Sequence, residues 1–225
     1  MITQKGRFLI RYKEIDKEYL ENFNFNKLEE KYQEIKKFYS FDKDLSIIRI
    51  CFIYSPEEFL FFTGKKFEQN WMGAITGYHT TINIFSPSVI EKFTIHKKES
   101  IFGTFAHELS HLFYGYSKLV NLPLFNEGIA QYHRDKNCNN KINFNLPSLK
   151  GGENIQKDYM YDYGVGHLLI CSIMKHFGKS GANRIIKFLR SASLQISEEE
   201  LFNLFKEVFG KNVNLLIELE GGKEK

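Results

Sequence analysis

The spacing of apolar side chains divides the chain into a first half that mixes strands with helices and a second half that is helical. Up to residue 98, alternating or continuous apolar stretches predict strands, and stretches of helical spacing with charges between them predict amphipathic helices. Strands are predicted over 7–12, 47–54, 71–78 and 80–85, the last two as a hairpin with His79 near its turn, and helices over 26–38 and from Pro56 with Ser55 as N-cap.

After Glu99 the apolar spacing is that of successive helices. Helices are predicted over 100–114, 123–133, 164–177, 181–191 and from the capping box Ser197–Glu200 to Phe209, where Gly210 ends the helix. Asparagines and glycines over 135–157 predict a long loop. We therefore expect an α+β fold in a single domain of residues 1–225, with an α/β lobe over 1–116 and a helical lobe over 117–225.

The strongest chemical signal is the sequence His107-Glu108-Leu109-Ser110-His111 within the predicted helix 100–114. Residues four apart share one face of a helix, so both imidazoles can reach one metal ion, and Glu108 lies within reach of a water held by that metal. The alternative is two ordinary histidines, one exposed and one hydrogen-bonded. The opposite face of this helix has an apolar stripe that can anchor it in a core. The stripe consists of Ile101, Phe105, Leu109 and Leu112.

A catalytic zinc ion needs a third protein ligand and an open position for water. The segment Asn126-Glu127-Gly128-Ile129-Ala130-Gln131-Tyr132 begins fifteen residues past His111, at the start of the next predicted helix. Glu127 is the candidate ligand, because antiparallel helices joined by a short loop can bring their facing sides together. The alternative is a solvated first-turn glutamate favoured by the helix dipole. The small residues Gly128 and Ala130 favour the ligand, because they let this helix approach a neighbour closely.

The HExxH sequence followed by NEGxAxY resembles the glutamate-zincins, or gluzincins, and over roughly residues 6–220 the chain resembles the peptidase-MA-like domain family. The resemblance implies a zincin-like fold, in which a small mixed sheet and an N-terminal helix pack on a helical C-terminal half that carries the HExxH and NEG helices. It also implies a zinc-dependent peptidase with His107, His111 and Glu127 as zinc ligands. Glu108 would be the general base for hydrolysis of peptide bonds.

The resemblance further implies a tyrosine or histidine that stabilises the developing oxyanion. Tyr159, Tyr161 and Tyr163 precede the helix predicted from residue 164, and Tyr161 or Tyr163 is preferred, with Tyr163 nearer the helix. His167 is a rival donor or a core histidine. Family members often carry an acidic residue four positions after the ligand glutamate, but this chain has Gln131 there, which predicts a less tightly held zinc ion.

The predicted hairpin has two interpretations. In zincins the strand shortly before the metal helix commonly forms a sheet edge, along which an extended peptide pairs through backbone hydrogen bonds. Residues Trp71–Gly77 would be that edge, with glycines giving the substrate close access. An ordinary hairpin with no role in binding is equally compatible with the sequence.

Composition and charge narrow the classes of partner. Apolar residues make up 43% of the chain, which is enough to fill a core. The net charge is only +4 and its charges are evenly spread, which disfavours nucleic acid as a partner. Apolar runs are too short to cross a bilayer and the start lacks a signal peptide, so we expect no membrane partner and a cytoplasmic location. Three widely spaced cysteines, Cys51, Cys138 and Cys171, predict reduced thiols rather than disulfides.

The sequence therefore predicts a zinc-dependent peptidase with Zn²⁺ as cofactor and a peptide or protein as substrate. The alternative is a catalytically weak or inactive zinc-binding regulatory or binding module on the same fold. The presence of Glu108 disfavours this alternative, because a protein that only binds zinc has no need of a general base. The oligomeric state is not set by these features.

Overall fold

The computed structural model describes residues 1–68, 72–77, 80–138, 149 and 161–212, without the side chains of Tyr161 and Asp162. The chain forms two compact units. The first comprises Met1–Ile35 and Phe41–Leu112, and the second comprises Lys36–Ser40 and the chain from Phe113 onward. Most of the loop predicted over 135–157 lies outside the described residues, as do Trp71, His79 and Tyr159.

The first unit contains a mixed sheet of five strands among the described residues. The strands are β1 (Ile2–Lys5), β2 (Phe8–Arg11), β3 (Ile48–Ile53), β4 (Ala74–Gly77) and β5 (Thr81–Phe85), in the spatial order β1-β2-β3-β5-β4. The inner pairs, β2 with β3 and β3 with β5, are parallel, whereas the outer pairs are antiparallel. β4 is therefore an edge strand of this sheet.

The register of the inner strands builds an apolar row across the sheet. Ile50 of β3 pairs with Ile10 of β2 and with Ile82 of β5, and all three side chains are buried. β-Branched side chains pack well on a pleated surface, which explains why the run over 47–54 forms a central strand. This row forms part of the core on which the helices of the first unit pack.

The first part of the chain forms five α-helices among its described residues. They are α1 (Lys17–Asn22), α2 (Phe25–Phe38), α3 (Pro56–Thr63), α4 (Ile90–Phe93) and α5 (Ile101–Tyr116). At α3 the Ser55 hydroxyl accepts a hydrogen bond from the Glu58 backbone N–H at 3.2 Å, and Gly64 ends the helix with φ of +68°. The predicted N-cap is confirmed.

The second unit has helices but no strand among its described residues. Its helices are α6 (Pro123–Arg134), α7 (Gly166–Phe177), α8 (Gly181–Ser191) and α9 (Glu198–Phe209), and a π-helical turn over Tyr161–Val165 comes directly before α7. The capping box at Ser197 and Glu200 is present as predicted. Phe188 is fully buried and lies 4.9 Å from Phe125 and 5.5 Å from Phe205 between ring centroids, so aromatic packing joins α6, α8 and α9.

Helices α6 and α7 meet at two glycines. A Cβ atom added to Gly128 would lie 2.5 Å from the backbone carbonyl of Gly166, which no real side chain tolerates. The prediction that Gly128 lets its helix approach a neighbour closely is confirmed, and the neighbour is the start of α7. A contact of this kind fixes where the two helix axes cross.

The division into a mixed first half and a helical second half is confirmed, and the fold is α+β. Short elements were missed, among them β1 and α1, because four to six residues carry too little periodicity to register. The helix predicted from residue 164 begins at Gly166, since the residues before it form the π-helical turn. Among the described residues, no helix combines the length and apolar character that crossing a bilayer requires.

Candidate metal centre

Helix α5 is anchored by the predicted apolar stripe. Phe105 stacks on Phe52 of β3 with ring centroids 6.4 Å apart, and its ring meets that of Phe23 edge-on at 5.7 Å. The other members of the stripe, Ile101, Leu109 and Leu112, are also buried, which confirms the prediction. Because these contacts fix the rotation of the helix, they also fix the direction in which the side chains off the stripe point.

His107 and His111 come together on one face of α5. Their Nε2 atoms lie 3.0 Å apart, with the ring of His107 buried and that of His111 half-buried. Two nitrogens bound to one tetrahedral zinc ion at about 2.0–2.1 Å lie roughly 3.3 Å apart, so the observed pair matches that geometry closely. A pair of imidazoles is also the donor chemistry that zinc prefers. The two residues therefore fit a zinc ion.

Glu108 is a buried acid held by the sheet. Only 5% of its surface is exposed, and its Oε2 accepts a hydrogen bond from the Thr76 hydroxyl at 2.6 Å. The same hydroxyl lies 3.2 Å from the Glu108 backbone carbonyl. Thr76 belongs to the edge strand β4, so this strand fixes the carboxylate next to the two histidines. A carboxylate accepts several hydrogen bonds, and Oε1 is left to accept a proton from another donor.

Glu127 lies in the second turn of α6, four positions after the Pro123 that begins the helix. The alternative of a first-turn glutamate at the positive end of the helix dipole therefore does not apply. Its side chain is half-buried, between the inward-facing Phe125 and Gly128 in sequence. Glu127 belongs to the second unit and the two histidines belong to the first, and its role as third ligand remains a prediction from the sequence. Gln131, one turn further along α6, is also half-buried.

Tyr163 lies in the π-helical turn that precedes α7, and it is half-buried. This turn packs against α6, the helix that carries Glu127. Tyr161 belongs to the same turn by its backbone, whereas Tyr159 lies outside the described residues. Short π-helical segments inside or beside helices often occur at functional sites, because the extra residue redirects the side chains around it.

His167, the rival candidate for stabilising the oxyanion, is hydrogen-bonded to the backbone of the protein. It is buried at the start of α7, and its Nε2 lies 2.9 Å from the backbone carbonyl oxygen of Asp135, at the end of α6. Burial lowers the pKa of His167, and the Asp135 carbonyl opposes this effect without outweighing it. A carbonyl oxygen only accepts, so Nε2 is the nitrogen that carries the proton.

The prediction that all three cysteines are reduced is wrong for two of them. Cys138, just after α6, forms a disulfide with Cys171 of α7, while Cys51 in β3 has a free thiol. The spacing of 33 residues hid the pair, because only the packing of α6 on α7 brings the two positions together. The cysteine argument for a reducing compartment is thereby removed, and a cytoplasmic location stays a prediction.

The predictions for the edge strand are confirmed in part. The hairpin is confirmed as β4 paired with β5, and Trp71 lies outside the described residues. A Cβ atom added to Gly73 would lie 2.5 Å from the His96 ring, so the absence of a side chain at this glycine leaves room for His96. Pairing of a substrate with β4 stays a prediction from the sequence.

Two contacts of these sites could not be predicted from the sequence. Thr76 had no signal as the partner of Glu108, since a threonine in a strand is typical of any sheet. His167 lies near the disulfide because it comes four residues before Cys171 in α7, so the two side chains share one face of that helix. That spacing was present in the sequence, but it lacked a partner until Cys138 was placed.

Comparison of the chain with protein-family models, with curated proteins and with solved structures gave no match. The likeness to gluzincins therefore depends on the motifs of this chain alone.

Proposed function

We propose that the protein is a zinc-dependent peptidase, with His107, His111 and Glu127 as metal ligands and Glu108 as general base. The observation that carries the proposal is the pair of imidazole nitrogens 3.0 Å apart, next to a buried carboxylate that a neighbouring strand holds in place. Two histidines of a folded helix occur in many proteins. A buried acid next to them in the helix, with its own hydrogen-bond donor, is what a hydrolytic site needs in addition.

When bound, zinc polarises the scissile carbonyl and lowers the pKa of a water molecule toward neutrality. Glu108 takes a proton from the attacking water and then delivers it to the leaving amine. The Thr76 hydroxyl holds Oε2 of Glu108, which leaves Oε1 to receive that proton. A buried base of fixed orientation avoids part of the reorganisation that a mobile surface carboxylate would need.

Two further roles belong to the same proposal. Tyr163 donates a hydrogen bond to the oxyanion, with Tyr161 as the alternative donor from the same turn, and its support is the packing of that turn against α6. The outer edge of β4 receives the substrate as an added strand. This placement is supported by the position of β4 at the end of the sheet order and by the link from Thr76 to Glu108.

The alternative, an inactive zinc-binding module on the same fold, predicts a different role for Glu108. Burying a carboxylate costs free energy. A protein that only binds zinc would gain nothing in return for that cost. Its burial together with the hydrogen bond from Thr76 therefore supports the enzyme over the binding module.

The test is the substitution Glu108→Gln, which keeps the size and hydrogen-bonding capacity of the side chain but removes the base. We expect turnover of a mixed peptide library to fall by roughly 10²–10⁴-fold, the range typical of general-base catalysis, while metal analysis still finds one zinc per chain. Cleavage by the unaltered protein should stop with a chelator and return with added zinc.

Glu99→Gln is the matched control, because Glu99 is an exposed glutamate just before the same helix. It should retain full activity and full zinc content. Full activity in Glu108→Gln would show that Glu108 is not the base. No cleavage by the zinc-loaded, unaltered protein would favour the binding module.

A further inference from the structure

A second group of metal-binding side chains lies in the helical unit, and the proposed peptidase does not use it. The two sulfur atoms of Cys138 and Cys171 and one imidazole nitrogen of His167 all lie within 4.8 Å of one another. Thiolate and imidazole are the donors found in structural zinc sites. All three residues belong to the second unit, so the packing of that unit alone assembles the group.

The surroundings of this group are those of a built site. Cys171 is 1% exposed and His167 is 6% exposed, and the two face the same way because they are four residues apart in α7. Cys138 is half-buried, which gives a reductant or a metal ion a route to the sulfurs. The group thus combines two fixed donors with one that solvent can reach.

The hydrogen bond of His167 prepares its imidazole for a metal. Because Nε2 donates to the Asp135 carbonyl at 2.9 Å, the lone pair of the neutral ring is on Nδ1. Ligand histidines in metalloproteins commonly donate their other ring N–H to a backbone carbonyl in this way, which fixes the tautomer and the ring orientation.

The disulfide and a metal ion would exclude each other. Two thiolates bound to one tetrahedral zinc ion at about 2.3 Å lie roughly 3.8 Å apart, so the sulfur–sulfur bond must be broken before the ion binds. The Cα atoms of Cys138 and Cys171 are 5.7 Å apart, and rotation of the two side chains can open the sulfurs without moving the helices far.

We propose that Cys138, Cys171 and His167 form a second metal site, which opens when a dithiol reductant breaks the disulfide and which takes a thiophilic divalent cation such as Zn²⁺. The reductant transfers two electrons and two protons, so that its own two thiols become a disulfide while Cys138 and Cys171 become thiols. Each thiol then loses one proton as its sulfur binds the cation. The imidazole of His167 supplies the third bond.

Cobalt binding tests this proposal, because Co²⁺ bound by thiolates has a charge-transfer band in the near ultraviolet that nitrogen and oxygen ligands do not produce. The full chain carrying His107→Ala and His111→Ala is used, which removes the histidine pair of the proposed peptidase site. One sample is kept oxidised, and the other is reduced with a phosphine, desalted and titrated under argon. We expect one Co²⁺ per chain and the thiolate band in the reduced sample, and neither in the oxidised sample.

Substitutions identify the ligands in the reduced sample. Cys171→Ser should abolish the band. His167→Gln should weaken cobalt binding by at least about 10–100-fold, the loss typical when only the hydrogen-bond partner of a ligand is removed, because here one of the three donors is itself lost. Cys51→Ser is the matched control, because Cys51 has the free thiol of the first unit, and it should leave the band unchanged.

The reduced sample without any cysteine substitution decides the proposal even where a variant fails to fold, and circular dichroism reports the folding of each sample. Absence of the thiolate band from that sample would overturn the proposal, whether or not the chain stays folded. Persistence of the band in folded Cys171→Ser, or its loss in Cys51→Ser, would overturn it as well. None of these results depends on peptidase activity, so this site can fail while the proposed function stands.

Discussion

The two groups of metal-binding side chains differ in how the chain assembles them. His107 and His111 are four residues apart on one helix, with Glu108 between them, so a single element carries most of the first group. The second group joins Cys138, beyond the end of α6, to His167 and Cys171 of α7. A short motif encodes the first group, whereas only the packing of two helices creates the second.

This difference has physical consequences for robustness. Local helix geometry keeps the two imidazoles of the first group together even if the surrounding packing loosens. The second group depends on the crossing of α6 and α7, where Gly128 meets Gly166 without room for a side chain. We therefore expect changes in the first group to act on chemistry, and changes around the second group to act on stability.

The largest effect is expected from removing a donor of the first group. In His111→Ala we expect kcat/KM for peptide cleavage to fall at least a hundredfold, because a metal ion contributes several kcal/mol to stabilising the transition state. The free energy of unfolding measured without metal should change little, since His111 is only half-buried. His176→Ala is the control, because His176 is an exposed histidine of α7, and it should keep both zinc and activity. Unchanged activity in His111→Ala would remove the distinction drawn between the two groups.

The opposite pattern is expected in the second group. Cys171→Ser removes a disulfide that closes a 33-residue loop, and the free energy of unfolding in urea should fall by about 2–4 kcal/mol. The reason is that the unfolded chain regains the conformations that the cross-link denied it. Cys51→Ser should shift the urea midpoint far less, because Cys51 makes no disulfide. Equal midpoints for Cys171→Ser and the unaltered protein would show that the disulfide adds no stability.

The sequence predicts features that depend on neighbours along the chain, and it misses those that depend on partners far away. The helix with His107 and His111, the N-cap Ser55 and the capping box at Ser197 are all encoded within a few residues. The pairing of Cys138 with Cys171 depends on two helices packing, and periodicity carries no information about which helices meet.

The same reasoning applies within the candidate site. Glu108 was predictable because it lies inside the motif, but Thr76 was not, because it lies on a strand 32 residues earlier. Thr76 contacts Glu108 because of the position of its strand in the sheet, and the order of strands is a property of the whole sheet. Glu127 follows the motif closely enough to be proposed as a ligand from the sequence. Its burial and its place in the second turn of α6 needed the structure.

A smaller loss of stability is expected at the crossing of α6 and α7. In Gly128→Ala the new methyl group would lie 2.5 Å from the Gly166 backbone, so the helices must separate, and overpacking of this kind costs about 1–3 kcal/mol. Gly115→Ala is the control, because Gly115 is also a helical glycine but its added Cβ has no atom within 4 Å. That variant should be neutral or slightly stabilised, since alanine favours helix more than glycine does. Similar urea midpoints for both variants would show that the crossing is not tightly packed.

The smallest effect is expected from a change at Thr76, the residue through which a strand contacts the first group. Thr76→Val keeps the shape of the side chain but removes the hydroxyl that donates to Glu108 Oε2 at 2.6 Å. A hydrogen bond to a charged group contributes about 1.5–3 kcal/mol, and partial replacement by water reduces the loss, so kcat should fall roughly tenfold with little change in KM. Thr76→Ser restores the hydroxyl and should recover the rate. A valine variant that keeps the kcat of the unaltered protein would mean that the first group is set by its own helix alone, with no contribution from the sheet.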